Sequence, residues 1–405
     1  MKKQILFVDD ERNVLEGLQR MLRLYRQEWD MHFALSGPQA LAIMDAKPID
    51  IIIADMRMPE MNGSQLLSEV MQRHPGTIRI VLSGHADADL IMRSVSVTHQ
   101  YLSKPCDATT LRSVVARAVE LRALLEAPSL KHLASQMGTL PSLPSLYFEL
   151  SRELQLENAS LQKIGQIISK DPGMTAKILQ LANSSFFGRR RQISNPTEAI
   201  SYLGLDRIQH LCVTVHAFSE FDPCDNRSFP IDRLWEHSSS TAHLAKRIAE
   251  TEGSDKTTIE QACTAGFLHD IGELMIASRL PRRHGEAVAW AKENKVPLWE
   301  AERQILGASH SEVGAYLLGL WGLPDPIVEA IAYHHRPLAL PSKATFCPLV
   351  ALHAANVLDY ENSGEVHPGI PDPVVDQKYM AALGMSDRHE KWRSLSLPLE
   401  VQRGA

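Results

Sequence analysis

The stretch Gln4-Ile-Leu-Phe-Val-Asp-Asp10 opens the part of the chain that decides the fold. It is a short apolar run that ends in two aspartates, and Ile51-Ile-Ile-Ala-Asp55 repeats this arrangement with one. A third run, Ile78-Arg-Ile-Val-Leu-Ser83, ends in a serine, and amphipathic stretches such as Val14–Leu24 lie between the runs. Continuous apolar runs are typical of strands buried on both faces. Their alternation with helices predicts a parallel sheet that is covered by helices.

Polar side chains follow the predicted strands at the points where the strands end: Asp9, Asp10, Asp55, Ser83 and Lys104. The carboxyl ends of parallel strands share one edge of a sheet, which is where ligands bind in such folds. Converging carboxylates repel one another unless a hard cation lies among them, and Mg2+ suits such a site. A carboxylate beside Mg2+ can accept a phosphoryl group, whose oxygens a hydroxyl and an ammonium group can then bind. A single strand-end aspartate is more often a loop cap, but five residues in register favour a site.

Four motifs carry a family resemblance: FVDDERN at 7–13, ADMRMPEMNG at 54–63, LSG at 82–84 and YLSKP at 101–105. They resemble the receiver domain of bacterial two-component response regulators over about 120 residues. The resemblance implies a flavodoxin-like, doubly wound, parallel five-stranded fold. It also implies a histidine kinase as the partner that phosphorylates the domain.

The resemblance assigns three groups of residues in this sequence. They are the phosphorylation site Asp55, the Mg2+ ligands Asp9, Asp10, Asp55 and the backbone carbonyl of Arg57, and the switch and phosphate-contacting residues Ser83, Tyr101 and Lys104. Phosphorylation adds about −1.5 to −2 charges at one point. Ser83 would move toward the phosphate and Tyr101 would swing inward. We expect this to repack the face built from the fourth helix and the fifth strand, although Tyr101 could equally be an ordinary packing aromatic.

From Leu130 onward helical periodicity dominates, which predicts an all-α region after the α/β region. Histidines and one aspartate in the pattern His, His-Asp, His, His-His stand out: His237, His269, Asp270, His310, His334 and His335. Imidazoles and a carboxylate from separate helices can build a metal site inside a bundle. A lone histidine on a helix is more often a core or capping residue. The set, however, resembles the HD superfamily of metal-dependent phosphohydrolases, which implies Mn, Fe or Zn at these residues.

This chain departs from the catalytic cyclic-di-GMP branch of that superfamily in two ways. His334-His335 continue into Arg336-Pro337-Leu338, without a GYP motif. Asn356 stands where a metal-binding aspartate should fall, with Asp359 three residues later. An amide cannot supply the negative charge that a two-metal cluster requires. Both departures weaken a catalytic interpretation.

Longer segments resemble the HDOD domain, a relative of the HD fold that is regarded as a signalling or interaction module. They are LPSLPSLYFEL at 140–150, DPGMTAKILQLANSSFFG at 171–188, ISNPTEAISYLGLDRIQHL at 193–211 and FLHDIGELM at 267–275. We therefore predict a receiver domain at 1–122, a helical linker at 123–136, an HDOD domain at 137–338, and a C-terminal helix and tail at 339–405.

The predicted function is a response regulator whose HDOD output binds an unknown downstream protein and does not turn over a substrate. The alternative is a receiver-regulated HD-type phosphohydrolase that acts on a cyclic dinucleotide or a nucleotide. In a third version, the ligand or metal binds without turnover and changes partner affinity by linkage. The sequence leaves a homodimer open.

Composition narrows the class of protein further. The formal net charge is −6, with 42 Lys and Arg against 48 Asp and Glu, which disfavours a nucleic-acid-coating surface. Arg189-Arg190-Arg191 is a solvated basic loop or a phosphate contact, and is too small to argue for DNA binding. The five scattered cysteines form no CxxC pair, and no apolar run approaches the length of a membrane span. We expect a cytoplasmic protein that binds neither DNA nor membrane.

Overall fold

The computed structural model describes residues 2–84, 94–121, 124–125, 130, 133, 140–142, 144–154, 156, 159–184, 192–209, 219–220, 229–340, 345–363 and 366–396. The Arg189–Arg191 triplet lies outside the described residues. So does most of the predicted linker, together with residues 85–93, where the helix between the fourth and fifth strands was expected.

The N-terminal region is built on one parallel five-stranded sheet, as predicted. Its strands are β1 (Lys3–Val8), β2 (Trp29–Ala34), β3 (Ile51–Asp55), β4 (Ile78–Ser83) and β5 (Gln100–Ser103). The strand order is β2-β1-β3-β4-β5, so the chain reverses its direction of winding beside β1. Every residue of β3 and β4 is buried, which explains the apolar runs Ile51–Ala54 and Ile80–Leu82 within them. The reversal places the ends of β1 and β3 side by side at the edge where ligands bind in this fold.

Helices cover both faces of the sheet. They are α1 (Arg12–Met21), α2 (Gly37–Ala46), α3 (Gly63–Arg73) and α4 (Ala108–Leu121). The predicted helix from Val14 to Leu24 ends at Met21, and a short 3-10 turn follows it. The last of these helices, α4, begins at Ala108 and ends at Leu121, where the receiver region ends.

The first turn of α3 lies against the end of β3. A Cβ atom on Gly63 would clash with the backbone carbonyl of Asp55, so the start of α3 needs a glycine there. Asn62 caps the helix, because its Oδ1 atom accepts from the Gln65 amide, and its own amide donates to Gln65 Oε1. The glycine in the 54–63 motif therefore sets the position of Asp55.

The C-terminal region is helical, as predicted. Its helices are α5 (Pro144–Leu154), α6 (Leu161–Ile168), α7 (Pro172–Ala182), α8 (Pro196–Leu203), α9 (Leu205–Gln209), α10 (Ile231–Thr251), α11 (Lys256–Leu268), α12 (Ile271–Arg279), α13 (Pro281–Asn294), α14 (Leu298–Leu306), α15 (His310–Leu320), α16 (Asp325–Tyr333), α17 (Pro348–Ser363), α18 (Gln377–Ala382) and α19 (Arg388–Arg393). A two-residue parallel bridge, β6 (Pro141–Ser142) with β7 (Ser219–Glu220), is the one extended pairing among its described residues.

Helices α10, α11, α16 and α17 form the centre of this region. Asp171 caps α7 through the Met174 amide at 2.8 Å, with Pro172 in the first helical position. The tail packs on the same core, because Trp392 is fully buried. None of the described helices has the length and hydropathy needed to cross a membrane.

Candidate phosphorylation site and metal centre

Two buried carboxylates meet one ammonium group at the edge of the sheet. Asp9 follows β1 and Asp55 ends β3, and both are almost inaccessible to solvent. Lys104 Nζ donates to Asp9 Oδ2 at 2.6 Å and also to Asp55 Oδ1. Each carboxylate receives one backbone amide as well, since Glu11 donates to Asp9 Oδ1 at 3.0 Å and Arg57 donates to Asp55 Oδ2 at 2.7 Å.

The charges at this edge depend on one another. Burial raises the pKa of Asp55 above its usual value, although Lys104 and the Arg57 amide oppose this effect. Burial disfavours the charged form of Lys104, but its hydrogen bonds to Asp55 and Asp9 raise its pKa overall. Oxygens of Asp9 and Asp55 converge on the Lys104 ammonium group, and the same convergence suits a hard metal cation. Asp9, Asp10, Asp55 and the Arg57 carbonyl are therefore suitable Mg2+ ligands, and Asp10 is the exposed member of this set.

The predicted switch residues lie at the ends of the neighbouring strands. Ser83 is fully buried at the end of β4. Tyr101 pairs with Val81 across β4 and β5, and its side chain points inward with 2% of the residue exposed. The Ser94 hydroxyl donates to the Tyr101 hydroxyl at 3.3 Å, and burial raises the pKa of this phenol. In this structure Tyr101 already occupies an inward position.

The loop before β5 is covered by helix α7 of the C-terminal region. Lys177 Nζ donates to the Val95 carbonyl at 2.8 Å, and it also lies 4.5 Å from the centre of the Trp321 ring. Gln180 Nε2 donates to the carbonyls of Thr98 at 3.2 Å and His99 at 3.3 Å. Lys177 is 1% exposed, and its burial lowers its pKa to about 7.

Helix α4 makes a second contact between the two regions. Arg117 donates to the Leu323 carbonyl and forms an ion pair with Asp325 at 2.8 Å. Leu121 packs against Gly319 so closely that a Cβ atom there would clash with the leucine. A cavity of about 180 Å³ remains between the regions, and Tyr101, Gln180 and Trp321 are among its lining residues. No sequence motif indicated this direct contact.

The structure brings together all six residues of the predicted metal site, which we call the HD cluster: His237, His269, Asp270, His310, His334 and His335. In four of its histidines, the Nδ1 atom forms a hydrogen bond with an oxygen atom. The pairs are His237 with Asp359 Oδ2 at 2.6 Å, His269 with the Gly266 carbonyl at 2.8 Å, His310 with Glu302 Oε2 at 2.6 Å, and His334 with the Ile331 carbonyl at 2.8 Å. Such partners fix the ring of a metal-ligating histidine and direct its Nε2 atom to the ion.

The Nε2 atoms converge around Asp270. His269 Nε2 lies 3.2 Å from His237 Nε2 and 3.1 Å from Asp270 Oδ2. On the other side, His310 Nε2 lies 3.0 Å from His335 Nε2 and 3.4 Å from Asp270 Oδ1. One carboxylate therefore faces two groups of imidazoles with its two oxygens, the arrangement expected of a bridging ligand between two metal ions.

Two further observations fit metal binding at the HD cluster. His334 Nε2 is buried and has no hydrogen-bond partner, although it lies 3.9 Å from Asp270 Oδ1. Burial lowers the pKa of both His334 and His335 well below the usual value. Neutral imidazole is the form that binds metals. Coordination would satisfy the orphaned His334 nitrogen.

Asn356, which the sequence analysis placed where a metal-binding aspartate was expected, contacts the HD cluster. Its Oδ1 atom lies 2.9 Å from His237 Nε2. Asp359 contacts the opposite ring nitrogen, so its carboxylate orients His237 and does not replace the missing ligand. Burial opposes protonation of His237, but Asp359 and Asp270 raise its pKa overall.

Sequence reasoning missed several residues around this centre. Glu302 and Tyr360 had no motif to mark them, and they reach the HD cluster only through the packing of α14 and α17. Glu273 directly follows the His-Asp-Ile-Gly run, which was the one available signal for it.

Two family models match separate parts of the chain. The response regulator receiver domain model matches residues 5–116, and the HDOD domain model matches residues 140–337. The chain therefore belongs to the response regulators. It consists of an N-terminal receiver domain, followed by a C-terminal HDOD domain.

Curated relatives share parts of this arrangement. An uncharacterized protein of Treponema pallidum is 27% identical over 60% of this chain and 46% of its own length. The hydrogenase transcriptional regulatory protein HoxA of Cupriavidus necator is 34% identical over 30% of this chain and 25% of its own length. The response regulator PilR of Pseudomonas aeruginosa is 29% identical over 34% of each chain. The chain thus spans less than half the length of these relatives.

Two solved structures match parts of this chain. The MmoQ response regulator from Methylococcus capsulatus is 20% identical with a TM-score of 0.46, covering 63% of this chain and 98% of that one. An HDOD domain protein of unknown function from Geobacter sulfurreducens is 23% identical with a TM-score of 0.35, covering 71% of this chain and 98% of that one.

Proposed function

We propose that a histidine kinase phosphorylates Asp55 and that this controls a non-catalytic HDOD output domain, which binds a downstream protein in the cytoplasm. The observation that carries the proposal is the contact between the loop before β5 and helix α7. Lys177 and Gln180 bind carbonyls at 95–99, directly before the switch residue Tyr101. A change in the receiver domain therefore has a short path to the HDOD domain. The linker at 123–136 is a second connection in this proposal.

The chemistry at Asp55 follows from its neighbours. One Asp55 carboxylate oxygen would attack the phosphorus atom of the donor phosphohistidine, and the imidazole of the kinase would leave with the bond electrons. Bound Mg2+ would neutralise the charge on the phosphoryl oxygens. Lys104 already lies beside Asp55 and would bind one of these oxygens, while Ser83 would donate its hydroxyl to another.

Phosphorylation would then act on the packing of the receiver domain. If Ser83 moves toward the phosphate, the space around Tyr101 and Ser94 changes with it. Helix α7 hydrogen-bonds to carbonyls at 95–99, directly before Tyr101. Any rearrangement around Tyr101 therefore changes the free energy of the contacts between α7 and the receiver domain. We propose that phosphorylation alters this docking and thereby the surface that the HDOD domain offers to its partner.

Labelling by a small phosphodonor tests the phosphorylation step. We expect acetyl phosphate to label the full chain in the presence of Mg2+, with labelling abolished by Asp55→Asn. Asp30→Asn is the matched control, because Asp30 lies half-exposed on β2 away from the acidic edge. Labelling of Asp55→Asn at the wild-type level would overturn the assignment.

A second candidate function is supported by the geometry of the HD cluster. The convergence of imidazole Nε2 atoms on Asp270 suits a metal-dependent phosphohydrolase that acts on a cyclic dinucleotide or nucleotide. The metal ions would be of the Mn, Fe or Zn class, held by the six cluster residues. We favour the non-catalytic function because Asn356 cannot supply the second carboxylate. Binding of a cyclic dinucleotide without hydrolysis would fit both the convergence of imidazoles on Asp270 and the lack of a carboxylate at Asn356.

A further inference from the structure

A third group of ligand-type side chains lies outside the HD cluster. Glu273 is in the first turn of α12, His284 in the first turn of α13, and His367 in the segment after α17. Glu273 Oε1 lies 2.5 Å from His367 Nε2 and 3.4 Å from His284 Nε2. The ligand atoms of the three residues all lie within 4.8 Å of one another. We call this group the Glu273 cluster.

The Glu273 cluster is buried and held by packing. The side chains of Glu273, His284 and His367 are 4%, 6% and 10% exposed. The ring of Phe229 meets the His284 ring edge-on, with 5.4 Å between centroids. Val366, on the other side, is buried beside His367. These neighbours fix the imidazoles before any ligand arrives, which lowers the entropy cost of binding.

We propose that Glu273, His284 and His367 bind one divalent transition metal ion, with Zn2+ the best match. Two imidazole nitrogens and one carboxylate oxygen form a ligand set that suits Zn2+ and leaves a fourth position open. Ligand atoms around tetrahedral Zn2+ lie about 3.4 Å apart, given bond lengths near 2.1 Å. The separation between Glu273 and His284 already matches. The shorter contact to His367 would open as the ion replaces the shared proton.

The surroundings provide room for a fourth ligand. A cavity of about 30 Å³ between the Glu273 cluster and the HD cluster has Glu273 and His367 in its wall. A larger cavity of about 380 Å³ reaches His284 and His367 from the other side, with Arg233 and Lys292 in its lining. This larger cavity gives an ion a way in. Its basic side chains favour water or a small anion at the open position.

The site has a structural consequence for the C-terminal segment. His367 lies beyond residues 140–337, which the HDOD family model covers. A metal ion would cross-link the segment at 366–370 to α12 and α13. The inference goes beyond the proposed function and does not depend on phosphorylation of Asp55.

Metal analysis of the full chain tests the inference. The experiment uses a His269→Ala/Asp270→Ala/His334→Ala background, which removes ligands from both groups of the HD cluster, His237-His269-Asp270 and His310-His334-His335. After stripping with a chelator and adding ZnCl2, we expect about one equivalent of Zn2+ to survive desalting. Adding His367→Gln should lower the Zn2+ affinity by more than about 100-fold. His243→Gln is the control, because His243 is exposed and its ring bonds the Ser239 carbonyl of its own helix, away from the Glu273 cluster.

Cobalt absorption provides a second readout that does not depend on retained zinc. Co2+ bound to the Glu273 cluster should give visible bands, and Glu273→Gln and His367→Gln should each abolish them. Circular dichroism checks that both variants fold. His367 is the most exposed of the three residues, so its substitution should disturb folding least. Equal zinc retention and unchanged Co2+ bands in the two variants would overturn the proposal. The Glu273 cluster would then be a hydrogen-bond network only.

Discussion

Single hydrogen bonds prepare the histidines of the HD cluster for metal binding. Glu302 holds His310 Nδ1 at 2.6 Å, and backbone carbonyls hold His269 and His334 in the same way. Each bond fixes the orientation of its ring through Nδ1 and directs Nε2 toward Asp270. The exception is His237, whose Nε2 atom faces the amide of Asn356. This one residue separates the cluster from a complete two-metal set.

Asn356→Asp tests that conclusion at the residue scale. The added carboxylate would lie beside His237, and we expect Mn2+ affinity to rise by about 10-fold or more. Asn362→Asp is the control, since Asn362 lies exposed on the same helix. Isothermal titration calorimetry measures the affinities. An unchanged Mn2+ affinity would contradict this account of Asn356, and hydrolysis of a cyclic dinucleotide by the wild-type chain would favour the enzymatic function.

At the scale of elements, close backbone approach decides how α12 and α15 meet. A Cβ atom on Gly272 would clash with the carbonyl of His310 and the amide of Gly314. Gly314 faces Gly272 in return, so the two helices touch through glycines. Because Asp270 and His310 lie at the starts of these helices, this contact sets the distance between them.

Gly272→Ala should therefore destabilise the HDOD domain by about 1–3 kcal/mol, because the helices must separate to admit a methyl group. Gly285→Ala is the matched control. Gly285 lies in the exposed part of α13 with nothing near its Cβ position, so alanine should stabilise the chain by up to about 1 kcal/mol. Thermal unfolding measures both effects. Equal stability of the two variants would contradict the packing argument.

At the scale of the whole molecule, the two domains share an interface that buries a lysine. Lys177 is held by the Val95 carbonyl and the Trp321 ring, which compensate in part for the loss of water. Arg79 lies on the receiver side of the same region and is also buried, and its Nε atom donates to the Val97 carbonyl at 2.6 Å. Basic side chains from both domains thus hold the carbonyls of Val95 and Val97.

The burial of Lys177 makes domain docking depend on pH. Burial lowers its pKa from 10.5 to about 7. At pH values between these two, Lys177 is protonated in the undocked or unfolded chain and neutral in the docked chain. Rising pH therefore favours docking. We expect stability to gain up to about 1.4 kcal/mol per pH unit in this window, and the gain to be absent below pH 7.

Urea unfolding from pH 7 to 10 measures this dependence. Lys177→Met should remove the pH-dependent gain, because methionine fills the same space without titrating. Lys170→Met, at an exposed position on the same side of the domain, should keep it. A wild-type slope identical to that of Lys177→Met would rule out Lys177 as its source.

The sequence alone determined the sheet, the helical second domain and the residues at the strand ends. Apolar runs that end in aspartate identify buried parallel strands, and local spacing is enough to read them. The apolar pattern did not predict strand β2 (Trp29–Ala34). In this strand the exposed Asp30 and the half-buried Met31 to Phe33 interrupt the run of buried residues. The order of the histidines indicated a cluster, because their spacing matches a known family.

Only the tertiary structure decided how Lys177 meets Val95, and how Glu273, His284 and His367 converge. These residues are far apart along the chain and follow no local period. Their contacts depend on where whole helices pack, which is set by the burial of many apolar side chains together. Helix propensity and binary pattern are local properties, whereas a metal site or a domain interface is a property of distances in space.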